Sequence, residues 1–390
     1  MPSGASPSQK YRIAVVAQKY GLVGGGERFA SELTERLARN ERYEFHVFAN
    51  RWNRGSDRVT FHKVPMVAFP RSLRPWSFAW LADRMIARGR FDLVHSHERA
   101  LRADVFSMHS VPHAGWIRDV RRKRQSLFDR ATIGVERRMM ANAGRAWFLP
   151  VSTLAGDALR HEYAVDPARI RIVHPGVDFD RYALPERHVC RAEIRGRHGI
   201  GPADLLILFV GMNFEVKGLD GVIAAVAIAR SLRPDAGIRL MVVGRGDEAK
   251  YRALARGHGI GDMVTFAGPV TEGLERYYRA ADLFAMLSAF DTFGMAVLEA
   301  MSAGLPVIIS PNVGAKDVVE QAVNGFITPT NRDPDGAARA IAAMADRETL
   351  ARLGAEAQRT ASRRTWERTA EEVAHVYDAV WAGHLIFGGS

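Results

Sequence analysis

Two carboxylates flank the start of a predicted helix in the second half of the chain. Asp291 precedes this helix, and Glu299 lies eight positions later, on its second turn. Between them, Gly294 and Met295 supply backbone N–H groups with no acceptor in a preceding turn, and such groups bind anions. Amides suited to a phosphate, beside carboxylates suited to hydroxyl groups, predict a site for a nucleotide sugar.

The elements around these residues form a repeating unit of a parallel sheet. An apolar run at 283–287 predicts a buried strand, a helix follows at 295–303, and Gly304 and Pro306 end it. A second apolar strand at 307–309 completes the order strand–loop–helix–strand. Ligands of such sheets bind at the carboxyl ends of the strands, so both carboxylates are expected at that edge.

The same alternation precedes this unit. Lys217 lies in a loop after one strand, and Arg245 directly follows another, so both are expected at the same edge. A lysine there suits a diphosphate as a mobile point charge. The predicted strands are 205–211, 238–243 and 264–268, and the predicted helices are 219–232 and 272–281.

The first half of the chain shows a similar pattern and a second group of candidate residues. Gly24, Gly25 and Gly26 form a turn between a strand and a helix, which lets backbone approach a ligand, or is a tight turn without one. His109 follows a strand and falls at a carboxyl end. The segment 95–98 (HSHE) fits either a metal cluster or a strand end. The predicted strands are 12–17, 44–49, 91–95, 105–108, 146–151 and 170–173, and the predicted helices are 27–39, 78–88 and 366–385.

A turn and a charged stretch follow the last of these strands. Asp178 and Asp180 have a spacing that fits either a metal site or a helix cap. The stretch 184–204 is rich in charge and carries glycine and proline, which indicates a linker between two domains.

Charge indicates an anionic partner. The net charge is +11 and the isoelectric point is about 10.1. The segment 116–140 predicts a basic helix with apolar anchors, which suits an anionic membrane surface, a nucleic acid, or a solvated face. No nucleic-acid recognition motif accompanies it, so a membrane is the expected partner. The candidate membrane residues are Trp116, Arg118, Arg121, Arg122, Lys123 and Arg124, and a smaller group consists of Arg71, Arg74, Trp76 and Trp80.

Length and composition narrow the classes further. A chain of 390 residues predicts two domains. The single cysteine, Cys190, excludes a disulfide framework within the chain and fits a reducing cytosol. No apolar run approaches the roughly 20 residues of a spanning helix. Residues 1–9 predict a disordered tail and not a signal peptide.

Motifs in one order over nearly the whole chain resemble glycosyltransferase family 4, which has the GT-B fold. They are GGGER at 24–28, VHPGVD at 173–178, VG at 210–211 with KG at 217–218, VVGRG at 242–246, FAG at 266–268 and EAMSAGLPVI at 299–308. Within that family, the segment 91–182 is most similar to the lipopolysaccharide core α-glucosyltransferase type.

The resemblance implies an α/β protein of two doubly wound Rossmann-like domains facing across a cleft. Residues 1–183 would bind the acceptor, residues 184–365 would bind the donor, and the C-terminal helix at 366–390 would pack back on the first domain. The implied activity is retaining transfer of a hexose from a nucleotide-diphosphate sugar, with uracil as the commoner base. No metal or other cofactor is expected. The acceptor would be a glycan or glycolipid, such as lipopolysaccharide core, at the cytoplasmic membrane face.

Site residues follow from the same resemblance. His109 matches a family histidine that lies beside the transferred sugar. Lys217 matches the lysine that binds the diphosphate, and Glu299 matches the glutamate that binds the ribose hydroxyls. Asp291 stands where the family has glutamate and is one carbon shorter. The loop 212–216 lacks the family's arginine, and Arg245 is expected to compensate. Catalytic roles are assigned to His109, Lys217 and Asp291, and donor binding to Gly25, Gly26, Lys217, Arg245, Asp291, Phe293, Gly294, Met295 and Glu299.

Two other functions remain open at this point. A sugar phosphorylase or nucleotide-sugar epimerase would use the same fold. A non-catalytic, membrane-associated sugar-binding protein would use the same donor site, and the departures at Asp291 and in the loop 212–216 are compatible with it.

Overall fold

The computed structural model describes residues 10–22 and 24–387 and divides into two compact units. Unit 1 comprises Met1–Gly176 and Trp366–Ser390, and unit 2 comprises Val177–Thr365. The division thus precedes the boundary that we expected after Ala183. Residues 1–9, for which the sequence predicts a disordered tail, lie outside the described residues.

Unit 1 is built on a parallel sheet in which β1, β3, β6, β7 and β8 fall on predicted apolar runs, whereas β5 was not predicted. In the described part of this unit, six strands form the sheet in the order β5-β3-β1-β6-β7-β8, and β2 pairs with β4. The strands are β1 (Tyr11–Val16), β2 (Lys19–Tyr20), β3 (Tyr43–Ala49), β4 (Arg51–Trp52), β5 (Val59–Lys63), β6 (Leu93–Ser96), β7 (Val105–Met108) and β8 (Trp147–Pro150).

Helices cover this sheet and bury their apolar faces. Phe29, Leu33 and Leu37 of the first helix are buried, as their helical spacing predicts. The helices are α1 (Gly25–Leu37), α2 (Arg74–Ile86), α3 (His113–Gly115), α4 (Leu127–Asn142) and α5 (Thr153–Tyr163), with a 3-10 turn at Arg71–Leu73 and another at Pro167–Arg169.

The predicted continuous basic helix at 116–140 is wrong. Trp116–Arg121 forms a π-helical turn, and Arg122 then adopts a left-handed conformation with φ 48°. The chain leaves the helix there, and α4 begins after Ser126, which shares a capping box with Asp129. The break makes residues 122–126 an exposed basic loop.

The predicted strand at 170–173 is also wrong. Ile170 forms one isolated bridge with Phe148, and the segment donates to β8 through Arg171 N–H and Val173 N–H, each at 3.0 Å. Two bonds in one direction hold the segment beside β8 but do not make a ladder. Asp178 lies at the predicted cap position of the next helix, but its side chain makes no capping hydrogen bond.

Unit 2 repeats the architecture. Its described residues form a six-stranded parallel sheet in the order β11-β10-β9-β12-β13-β14. The strands are β9 (Leu205–Met212), β10 (Ile238–Arg245), β11 (Val264–Gly268), β12 (Leu283–Met286), β13 (Val307–Ile309) and β14 (Gly325–Ile327). The helices are α6 (Phe179–Ala183), α7 (Arg187–Arg197), α8 (Leu219–Leu232), α9 (Glu248–Gly257), α10 (Leu274–Ala280), α11 (Met295–Ser302), α12 (Pro334–Ala343) and α13 (Arg347–Ser362), with 3-10 turns at Gly261–Met263 and Gly314–Asp317.

The stretch predicted as a linker contains helix α7, which is fixed to unit 2 by a buried charge cluster. Asp282, 2% exposed, accepts from Arg195 and Arg191 at 2.6 Å each and from Leu206 N–H at 2.8 Å. Burial alone would raise the pKa of Asp282, but the two arginines and the amide hold it below its usual value. Arg191 and Arg195 of this stretch therefore serve packing.

The last helix, α14 (Trp366–Phe387), packs on unit 1, as expected. Trp381 stacks on Tyr11 with ring centroids 4.0 Å apart, and Tyr377 OH lies 2.7 Å from His95 Nδ1. Arg36 bonds Glu367 at 2.8 Å. Within the described residues, every helix is too short or too polar to cross a bilayer.

Candidate active site

Lys217 and Asp291 form an ion pair at the carboxyl edge of the unit 2 sheet. The lysine ammonium donates to Asp291 Oδ2, and both side chains are largely buried. Strand order explains the meeting, because β9 and β12 are neighbours and each residue lies in the loop after its strand. Backbone bonds hold Asp291 on both sides: its N–H donates to Asn312 O, and its carbonyl accepts from Gly314 N–H, both at 2.9 Å.

Gly218 fixes the lysine loop against the neighbouring strand. Its φ is +72°, and a Cβ there would lie 2.0 Å from Leu287 O. Only glycine combines this backbone conformation with that approach. Lys217 N–H also donates to Asn213 O at 3.2 Å, so the loop presents the lysine from a closed turn.

Helix α11 brings the second carboxylate to the site. Gly294 caps the helix with φ 91°, and within the described structure its N–H and that of Met295 donate to no acceptor. Glu299 is 7% exposed and accepts a 2.9 Å hydrogen bond from Tyr278 OH. Tyr278 is itself fully buried and packs edge-on against Tyr182 at 5.4 Å, so this bond orients the carboxylate.

Arg245 supplies a second cation at this edge. It ends β10, where it pairs in register with Met212, and its carbonyl accepts from Asn213 N–H at 2.9 Å. Its guanidinium is exposed and, among the described residues, has no carboxylate partner. Strands β10, β9 and β12 are adjacent, and they therefore bring Arg245, Lys217 and Asp291 to one edge.

The structure brings the predicted donor-side residues to one edge of the sheet, and their binding roles stay predictions. Lys217, Arg245, Asp291 and the start of α11 gather as topology implies. The Phe293 side chain is 4% exposed, and its carbonyl accepts from Ala315 N–H at 2.6 Å. The Phe293 ring is therefore buried and the residue holds the loop in place, so its predicted contact with the donor would not use the ring.

In unit 1, the glycine turn lies against His109. A Cβ on Gly26 would come 3.1 Å from the His109 Cβ, whereas Gly25 faces open space. His109 follows β7, and its ring stacks on His97 with an interplanar angle of 3°; His97 Nδ1 lies 3.0 Å from His109 Nε2. The structure thus joins the glycine turn and the predicted histidine.

Burial keeps these histidines neutral. It lowers the pKa of His109 to about 4, and burial followed by the neighbouring His95 and His109 lowers the pKa of His97 well below its usual value. His95 bonds Ser107 at 2.9 Å and Tyr377 at 2.7 Å. The HSHE segment is therefore a strand end whose first histidine serves the core, and within the described residues no group of three potential ligands could hold a metal ion.

A cavity of about 280 Å³ borders this histidine pair. Its lining includes Glu27 and His97, and two of their buried atoms, Glu27 Oε2 and His97 Nε2, have no hydrogen-bond partner within the described structure. The other Glu27 oxygen accepts from Lys19 at 3.1 Å. Buried polar atoms are normally paired, so these two are available to a ligand that carries hydroxyl groups.

The sequence missed three residues of these sites. Tyr278 looks like a core aromatic, because nothing local links it to Glu299. Glu27 lies in the GGGER motif and at the start of α1, but the sequence gives its side chain no role. The HSHE segment fits either a metal cluster or a strand end, and neither interpretation gives His97 a ligand contact, although its spacing of two from His95 indicates that both lie on one face of a strand.

Comparison with known proteins identifies the family. A family model described as "Glycosyltransferase Family 4" matches residues 23–181, and one described as "Glycosyl transferases group 1" matches residues 191–360. A "D-inositol 3-phosphate glycosyltransferase" of Streptomyces scabiei is 30% identical over 325 residues, covering 78% of this chain and 71% of the relative. The chain belongs to glycosyltransferase family 4.

Other relatives of this family 4 glycosyltransferase agree. The protein of the same description from Geodermatophilus obscurus is 33% identical over 314 residues, covering 75% of this chain and 67% of its own. Among solved structures, WaaG, "a glycosyltransferase involved in lipopolysaccharide biosynthesis", gives a TM-score of 0.75 at 22% identity, covering 93% of this chain and 99% of WaaG. HepE of Anabaena, "in complex with UDP and glucose", gives 0.70 at 19% identity, covering 94% and 99%.

These findings confirm the family and the GT-B fold. Family membership and the descriptions of the relatives support a transferase enzyme. Family membership also implies a nucleotide-sugar donor and a glycan-type acceptor as partners.

Proposed function

We propose that the protein transfers a hexose, with retention of configuration and without a metal ion, from a UDP-sugar to a hydroxyl group of a glycan or glycolipid. The observation that carries the donor half is the group formed by Lys217, the N–H groups of Gly294 and Met295, and the oriented Glu299. Cation and amides suit a diphosphate, and a fixed carboxylate suits the ribose hydroxyls. The structure of HepE with UDP makes uracil the first base to test.

The reaction has a leaving group, the nucleotide diphosphate, and a nucleophile, the acceptor hydroxyl. As the bond between the sugar C1 and the phosphate oxygen breaks, negative charge grows on the diphosphate, where Lys217 and the α11 amides stabilise it. The acceptor hydroxyl attacks C1 from the same face, and the leaving phosphate takes its proton. Arg245 adds a second positive charge at the sheet edge. His109, whose pKa is lowered by burial to about 4, is neutral and borders the cavity of unit 1, where it can contact hydroxyl groups without adding a charge.

Donor binding requires that Lys217 exchange partners. Its ammonium is bonded to Asp291 in the structure. A diphosphate carries more negative charge than the carboxylate and draws the ammonium away. Asp291 is then released to accept from the donor sugar. Because aspartate is one carbon shorter than the family's glutamate, it selects a sugar whose hydroxyl lies closer to the loop.

The acceptor has two candidate classes. The fold likeness to WaaG supports a lipopolysaccharide core acceptor, and the description of the curated relatives supports a small phosphorylated alcohol. Both are tested by adding each acceptor to protein and UDP-glucose and measuring released UDP. A transferase releases UDP at a rate that rises with the correct acceptor, and the anomeric configuration of the product reports retention.

The donor is tested first by a thermal-shift screen of nucleotide sugars. A donor at about 100 times its Kd stabilises its site by about 2.7 kcal/mol. The expected result is a higher Tm with one UDP-sugar and an unchanged Tm with the same sugar lacking the nucleotide. Equal Tm values with every nucleotide sugar up to millimolar concentration would refute the proposal.

We also propose that unit 1 attaches to the cytoplasmic face of an anionic membrane. Arg121, Arg122, Lys123 and Arg124 are exposed, and within the described residues they have no carboxylate partner. Exposed apolar side chains on neighbouring elements accompany them, namely Phe69, Leu73, Trp80 and Leu127. Arg118 contributes less, because Asp119 and Glu162 already bond it at 2.9 and 3.2 Å, and Trp116 is half-buried beside it.

Flotation with liposomes tests this attachment. Binding to anionic liposomes should fall with added salt and with the change of all four basic residues, 121–124, to glutamine. Equal binding to neutral liposomes would contradict the electrostatic part of the proposal and leave the transfer reaction unaffected.

A further inference from the structure

A second cavity in unit 1, of about 430 Å³, has five cations and one acid in its lining. It lies where the loops after β1, β3 and β6 meet the start of α2. The charged residues of its lining are Lys19, Arg51, Arg71, Arg74, Glu98 and Arg99. The sequence had grouped Arg71 and Arg74 with a membrane-facing surface, whereas the structure places both at a concave site.

Three of these cations lack a carboxylate. Within the described structure, the Arg51 side chain makes no hydrogen bond, the Arg71 guanidinium lies over the ring of Phe128, 5.9 Å from its centroid, and the Arg74 side chain bonds the Ala68 carbonyl through Nε at 2.9 Å. The Nη groups of all three therefore remain available. Like charges around a concave site repel one another and raise the local potential for an anion.

The remaining charges of the lining do not neutralise them. Lys19 bonds Glu27 at 3.1 Å and Arg99 bonds Glu136 at 2.6 Å, so each of these cations has its own acid elsewhere. Glu98 is the one acid among the charged residues of this lining within the described structure. Burial raises its pKa, which disfavours its charged form.

This cationic cavity shares lining residues with the cavity beside His109. Lys19, Glu98 and Arg99 line both. The His109 cavity carries the two unpartnered buried atoms, Glu27 Oε2 and His97 Nε2. A ligand that spans the pair would place hydroxyl groups on Glu27 and His97 and an anionic group among Arg51, Arg71 and Arg74.

We infer that Arg51, Arg71 and Arg74 bind a phosphate group carried by the acceptor. This inference rests on the proposed function, because it assigns one part of the acceptor of that reaction. Arginine fits the assignment better than lysine would, since its planar guanidinium donates two parallel bonds to phosphate oxygens. The acceptor is therefore a phosphorylated polyhydroxy compound whose reacting hydroxyl lies toward His109.

Calorimetry with D-inositol 3-phosphate, inositol and inorganic phosphate tests the inference. The wild-type protein should bind the phosphorylated compound at least about tenfold more tightly than the neutral one, which corresponds to about 1.4 kcal/mol. The double variant Arg71→Gln with Arg74→Gln should lose that preference. The matched control Arg84→Gln lies on the same helix, outside the cavity, and should keep it.

Separate measurements distinguish the possible failures. Equal binding of the two inositols by the wild type, or an unchanged preference in the double variant, would overturn the inference. So would a double variant that loses only binding to anionic vesicles, because the arginines would then serve lipid headgroups. UDP binding is measured on the same samples: its absence would refute the proposed function, whereas intact UDP binding without phosphate preference would refute this inference alone.

Discussion

Replacing Tyr278 with phenylalanine should weaken the ribose site without touching the ligand. The change removes only the hydroxyl that donates to Glu299 Oε2 at 2.9 Å. Glu299 is 7% exposed, so water cannot readily replace the lost donor. Tyr278 is thus a positioning residue, which acts through the carboxylate that it orients.

The expected loss of stability follows from the negative charge of the Glu299 carboxylate, which accepts this hydrogen bond. A hydrogen bond to a charged group contributes about 1.5–3 kcal/mol, and the free energy of unfolding of unit 2 should fall by that amount. For a unit of this length, each kcal/mol lowers the Tm by about 2–4 °C. A carboxylate free to turn away should also raise the donor KM about tenfold while kcat stays within about twofold.

The neighbouring Tyr277 offers a matched control. It is also buried, on the same helix, but its hydroxyl makes no hydrogen bond to any described residue. Tyr277→Phe should change stability by less than about 0.5 kcal/mol and leave the donor KM as in the wild type. If both variants lowered stability equally, or if Tyr278→Phe left the donor KM unchanged, the role assigned to Tyr278 would be refuted.

Two further predictions concern the lysine loop and the histidine pair. Gly218→Ala should destabilise unit 2 by more than about 2 kcal/mol in urea unfolding, because the new Cβ meets Leu287 O in a left-handed conformation; an unchanged midpoint would show that the loop is not held as described. His109 has its pKa lowered to about 4, so below about pH 6.5 the unfolded chain binds a proton that the folded protein does not. Stability should therefore fall from about pH 6.5 to 4, and His109→Gln should make that decline shallower by up to about 1.4 kcal/mol per pH unit, whereas a change at the exposed His188 should leave it as it is.

Topology explains how much of the donor site was visible in the sequence. Lys217, Arg245 and Asp291 each follow an apolar strand, and parallel strands place such residues at one edge whatever the side chains do. The ion pair between Lys217 and Asp291 depends on loop conformation, which Gly218 controls, and the sequence does not display it. The sequence does not indicate the role of Tyr278 either, because its hydroxyl contacts Glu299 only when α10 and α11 pack together.

Tertiary packing in unit 1 produces arrangements that the sequence does not display. Arg71 and Arg74 precede Trp76 and Trp80, which suggested one amphipathic surface, and Arg51 from a distant strand forms a cavity with these two arginines. The basic segment 116–140 has the composition of one helix, yet it breaks at Arg122, because the Ser126–Asp129 capping box starts a new helix. Local helix propensity does not decide the structure where a helix cap and tertiary packing favour another backbone conformation.

Equilibrium binding of UDP and uridine tests the central claim most directly. If Lys217 holds the diphosphate, Lys217→Ala should weaken UDP binding about 10- to 100-fold, the equivalent of about 1.5–3 kcal/mol, and leave uridine binding unchanged. The control Lys10→Ala, in unit 1, should bind both ligands like the wild type. UDP binding by Lys217→Ala that equals the wild type would contradict the assignment of the donor site to the carboxyl edge of unit 2.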